Sequence, residues 1–89
     1  MAIRSRIAGP TNLDEASQIV EYLIGNLQRN HDVVRDSVAD WDQQACHLFA
    51  QALKSSYYYD HGHVLGQALR NLANNAIMRE HRLAFKSSI

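Results

Sequence analysis

No disulfide can form within this chain, because Cys46 is its only cysteine. Small secreted scaffolds rely on paired cysteines to support a thin core, so that class is excluded and a reducing compartment is favoured. Pro10 is the only proline and there are only four glycines. No interdomain linker, low-complexity run or internal repeat stands out, and no glycine-rich loop is present to cradle a phosphate. Long apolar runs are missing as well. Nothing near the N-terminus resembles a secretory leader and no stretch is long enough to span a bilayer, so the expectation is a cytoplasmic protein without a membrane partner. Net charge is zero, with nine basic and nine acidic residues, so no overall field draws the protein to nucleic acid or anionic lipid. Finally, no segment alternates at period two, which sets a sheet aside.

The periodicity that is present is helical. Val34, Val38, Trp41, Ala45, Leu48, Ala52 and Tyr59 recur at helical steps, with Phe49 beside Leu48. This stripe holds the only Trp and predicts one central helix, bent near Asp36–Asp40. The alternative is a break there, because Asp36, Ser37 and Asp40 are poor helix formers and Asp40 with Gln43 could start a second helix. Before it, Asn12 reads as an N-cap with Glu15 completing a capping box. Leu13, Ala16, Val20, Leu23, Ile24 and Leu27 then hold one face until about Asn30, which can end a helix. Asp32 would cap the central element. After a turn marked by Gly62, a last helix is expected from about His63 to Lys86, with Leu65, Leu69, Leu72, Ala76 and Leu83 facing inward. The fold class is therefore all-α: a small antiparallel bundle of three helices, or four if the central one breaks near Asp40. Residues 1–11, punctuated by Gly9-Pro10, read as an arm anchored by Ile3 and Ile7. Residues 12–89 read as a single helical domain, thin-cored at this length, since such a chain buries only about 60–65% of its unfolded surface.

Charge is unevenly placed. Residues 13–42 carry seven acidic side chains against Arg29 and Arg35, a net −5, and the remainder carries +5. The two halves can pair within one fold or align two copies of it.

Three features invite a functional reading. The first is Asp60-His61-Gly62-His63, a carboxylate and two imidazoles at one turn, which are ligand types that suit zinc, nickel or copper. The paired spacing of zinc modules is lacking, and a solvated turn is the plainer account, so no metal or other cofactor is assigned. Cys46-His47 does not make a thiol–imidazole pair, because adjacent helical residues lie about 100° apart. Cys46 reads as a packed thiol. With no paired carboxylates in a cleft and no strained nucleophile turn, the chain reads as a non-enzyme.

The second feature is Tyr57-Tyr58-Tyr59. Tyr59 continues the inner stripe, while Tyr57 and Tyr58 point elsewhere, and exposed tyrosines are enriched at interfaces. The third is the last helix, where Ile77, Met78 and Phe85 project away from the inner stripe. Leu53 and Ile19 add further apolar surface that three helices cannot absorb. Contiguous apolar patches mark partner sites. The functional expectation is a small protein–protein interaction module, an adaptor or inhibitor that occludes a larger protein and also pairs with itself. Tyr57, Tyr58, Ile77, Met78 and Phe85 would be anchors, and Arg79 and Arg82 would orient the partner. A rival reading is DNA or RNA binding through the basic last helix (Arg70, Arg79, Arg82, Lys86) and an arm holding Arg4 and Arg6.

Overall fold

The computed structural model describes residues 6–60, 62 and 64–87, and within them the chain is all-helical. Four α-helices occur: α1 (Leu13–Gly25), α2 (Leu27–Val38), α3 (Gln43–Lys54) and α4 (Gly66–Ser87). A single 3₁₀ turn, Tyr57–Tyr59, follows α3. Among the described residues no helix is long and apolar enough to cross a membrane.

The first helix starts as expected, with the Asn12 side chain accepting from the Glu15 main-chain N–H at 2.8 Å. The reciprocal half of the box is displaced by one residue. Glu15 accepts from the N–H and hydroxyl of Thr11, both at 2.8 Å, rather than from Asn12. The far end differs from expectation too. The helix stops at Gly25, and Asn26 breaks the path with a non-helical backbone (φ −155°, ψ 84°). The same Asn26 then caps α2, its side chain accepting from Arg29 N–H at 3.1 Å. Asn30 and Asp32, expected at a terminus, lie inside α2.

The stretch from Val34 to Tyr59 is not one helix. It contains the end of α2, a break, all of α3 and the tyrosine turn. Asp42, extended at φ −78° and ψ 178°, caps α3 by accepting from Ala45 N–H at 2.8 Å, so the expected Asp40–Gln43 box is not used. Even so, Val34, Val38, Trp41, Ala45 and Ala52 are all buried. The stripe survives because the link stays tightly coiled. Asp40 N–H bonds to Ser37 and Trp41 N–H to Val38, three residues back, which nearly preserves helical phase up to Trp41.

Helix α3 is the central element and packs most extensively on α4, then on α1. Three contacts fix its direction against α4: Trp41 meets Arg79, His47 meets Glu80 and Tyr59 meets Arg70. Trp41, just before α3, and His47, near its start, meet the middle of α4, and Tyr59, beyond the end of α3, meets the first turns of α4, so α3 and α4 run antiparallel. This is compatible with a small bundle. The core holds Leu23, Val34, Phe49, Leu53, Leu69 and Leu72, all fully buried, each contributing about 1.5–3 kcal/mol on burial. Trp41 meets Phe49 edge-on, with centroids 5.3 Å apart and planes at 89°. Two residues assigned above to surplus surface, Ile19 and Leu53, are in this core. Leu13, assigned to the inner face, is half-exposed in the first turn of α1.

Residues 6–10 of the arm lie against the α2–α3 junction. Ile7 N–H donates to Ser37 Oγ at 3.0 Å, and Trp41 Nε1 donates to the Ile7 carbonyl at 2.8 Å. Arg6 reaches the Asp36 carbonyl and the Asp40 carboxylate. Gly9 is needed for this approach, since a Cβ there would lie 2.8 Å from Ala45 Cβ. Ile3 and Arg4 fall outside the described residues.

Candidate functional site

The residues singled out along the sequence separate into three groups. Met78 and Phe85 are 62% and 72% exposed. With Arg82, which is also exposed, they recur at steps of four and three, so they form one outward stripe on α4. Ile77 and Arg79 do not join it. Ile77 is partly buried against the core, which corrects its reading as a projecting side chain. Arg79 is half-buried and donates from Nε to the Trp41 carbonyl at 2.8 Å. Met78, Arg79 and Arg82 nevertheless line one groove of about 280 Å³ between α4 and the end of α2, together with Arg35, Val38 and Ala39. Arg35 lies 3.4 Å from Asp32 and 3.6 Å from Asp36, which share its charge.

The tyrosines lie elsewhere. Tyr57 is 80% exposed and meets Tyr58 edge-on at 5.4 Å, while Tyr58 and Tyr59 pack partly against the core. The Tyr59 carbonyl accepts from Arg70 Nη1 at 3.3 Å, which places this turn beside the first turns of α4. Phe85 is fifteen residues beyond Arg70, about 22 Å along a helix. Tyr57 and Phe85 are thus near opposite ends of α4.

His61 and His63 lie outside the described residues. Asp60 is exposed and accepts from Gly62 N–H at 3.3 Å. Among the described residues no group of three or more His, Cys, Asp or Glu side chains is arranged to hold a metal ion. Of the basic residues considered for nucleic acid, Arg6 is tied to Asp40 at 2.8 Å. Arg70 is turned to Tyr59 and Gln67, away from Arg82.

Cys46 is fully buried. Burial pushes its thiol up from the usual range, and Asp42 and Glu80 act in the same sense, against an opposing pull from Arg79. His47, one residue on, is exposed and places Nδ1 2.9 Å from Glu80 Oε2. That pair spans 33 residues and left no local signal in sequence. It lines an open hollow with Asp42, Gln43 and Gln44, where a carboxylate orients an imidazole but no nucleophile is present in the lining.

A second feature also escaped the sequence. The arm, α1 and α2 enclose an apolar groove of about 570 Å³, lined by Ile7, Pro10, Ile19, Tyr22 and Val33, with Glu15 as the sole charged residue in the lining. Tyr22 sits off the inner stripe of α1 and is 45% exposed. Its neighbours in the groove come from three segments, so only the folded arm reveals it.

Compared with known proteins, the chain matches no family model, no curated protein and no solved structure.

Proposed function

We propose that this chain is a small, non-enzymatic protein–protein interaction module, built as a helical bundle and acting in the cytoplasm. It associates with itself and serves as an adaptor or an inhibitor that covers a surface of a larger protein. The observation that carries this reading is the outer stripe of α4, where Met78 and Phe85 stand largely in solvent on either side of Arg82. Large apolar side chains gathered on one helix face, with a cation between them, have the make-up of an interface anchor. Arg is enriched at such surfaces because its planar fork binds carboxylates well. Tyr57 offers a smaller contact at the other end of α4.

The test is the double variant Met78→Ser/Phe85→Ser. Both side chains are exposed, so its circular dichroism should stay helical. Self-association, measured by sedimentation velocity, should weaken, as should capture of a partner from the native host. If association and capture both persist unchanged in the double variant, this stripe is not the binding surface.

A further inference from the structure

The groove beside the arm and the stripe on α4 have complementary chemistry, and no residue lines both. Helices α1 and α4 flank α3, which packs on both. Helix α1 carries Asp14, Glu15 and Glu21 and no cation, a net −3. Helix α4 carries Arg70, Arg79, Arg82 and Lys86 against Glu80, a net +3. Among the described residues no ion pair joins the two helices. Glu15 spends Oε1 on Thr11, and its Oε2 has no hydrogen-bond or ion-pair partner among the described residues.

From this we infer that the groove of about 570 Å³ between the arm, α1 and α2 receives the α4 stripe of a second copy of this chain, with Phe85 seated on Ile7, Ile19, Tyr22 and Val33 and Arg82 facing Glu15. The inference rests on the self-association proposed above and fixes its geometry. Stacking two α4 stripes on each other would oppose two helices of net +3, whereas α4 on α1 brings opposite charges together. The two surfaces belong to different elements, so each copy offers one groove and one knob. Such a head-to-tail contact builds rings or chains rather than stopping at a twofold dimer.

Two variants test this, Tyr22→Arg in the groove and Phe85→Glu on the knob, with helicity checked by circular dichroism. Gln18→Arg, at a side chain that also lines the groove, and Arg82→Glu replace them if either fails to fold. Wild-type assemblies should grow with concentration in sedimentation velocity. Each variant alone should associate about thirtyfold or more weakly, the loss typical of a central interface residue. Mixed one to one, the two variants should associate more tightly than either does alone, because the Phe85→Glu copy keeps its groove and the Tyr22→Arg copy keeps its knob. If Phe85→Glu is monomeric while Tyr22→Arg associates like wild type, the groove is not the receptor and the α4 reading survives. Loss in both variants with no recovery on mixing also overturns the head-to-tail contact. A wild-type chain that stays monomeric at all concentrations overturns this inference and self-association together.

Discussion

Arg79 donates from Nε to the main-chain carbonyl of Trp41 at 2.8 Å. The bond ties the middle of α4 to the link between α2 and α3, where the chain leaves one helix and has not begun the next. A half-buried carbonyl at a helix break needs such a donor. Arg79 is therefore a structural cation, unlike Arg82 three residues on.

That contrast gives the first prediction. Arg79→Met should lower stability in urea by about 1.5–3 kcal/mol, the range for a hydrogen bond made by a charged group. Arg82→Met, at an exposed position, should stay within about 0.5 kcal/mol of wild type. Equal effects would mean that the Trp41 carbonyl does not depend on Arg79.

The arm is held by a buried hydroxyl. Ser37 Oγ donates to the Val33 carbonyl at 2.7 Å and accepts from Ile7 N–H at 3.0 Å. Ser37→Ala leaves the Ile7 amide without its acceptor, a loss of about 1–3 kcal/mol. Amide exchange at Ile7 should accelerate, and Trp41 fluorescence should shift to the red as its indole N–H loses the Ile7 carbonyl. Unchanged exchange at Ile7 would show that the arm is held by other contacts.

How far the sequence could be read follows from such details. Helical class was legible because Ala16, Val20, Leu23, Leu69, Leu72 and Ala76 keep strict helical spacing, and all are buried. The break at residues 39–42 was legible only as an alternative, from the poor helix formers Asp36, Ser37 and Asp40, because a tight turn there preserves the phase of Val38, Trp41 and Ala45 while the backbone leaves the helix. Periodicity reports which side chains face inward and says little about whether hydrogen bonds are continuous. The split among Ile77, Met78 and Arg79 was half legible. Helical angle separates Met78 from the core, but only the α2–α3 link shows what Arg79 does. The groove at Tyr22 required the arm, whose docking depends on Gly9 passing Ala45.

The start of α3 can be tested directly. Asp42 accepts from Ala45 N–H, while Asp40 faces Arg6 in an exposed pair. Asp42→Ala should cost about 1 kcal/mol, as loss of an N-cap does. Asp40→Ala removes only a surface ion pair, at about 0–1 kcal/mol. A larger loss from Asp40→Ala would return the helix start to the earlier residue.

Cys46 provides a probe of opening. Desolvation raises its thiol above the ordinary range, so the native state holds this proton more tightly than the unfolded chain does. The stability linked to it is complete below the ordinary thiol range and is lost as pH rises towards the raised value. At neutral pH a thiol reagent should label Cys46 only at the rate at which the fold opens, and urea should accelerate labelling steeply. Fast stoichiometric labelling in native buffer would contradict the buried, protonated thiol.

Acid should also reach the beginning of α1. The two Thr11 donors hold Glu15 below the usual carboxylate range, with the main-chain N–H of Thr11 the larger cause and its hydroxyl the next. A lowered carboxylate favours the folded state above its unfolded value, and that preference fades as pH falls through the lowered one. Residues 11–15 should therefore loosen as Glu15 gains its proton, seen as a shift of the Thr11 amide in an NMR titration. Glu15→Gln keeps an acceptor but has no proton to gain, so its Thr11 amide should stay flat over the same range. A Thr11 titration that persists in Glu15→Gln would assign the acid response to another carboxylate, with Asp14 the nearest in sequence.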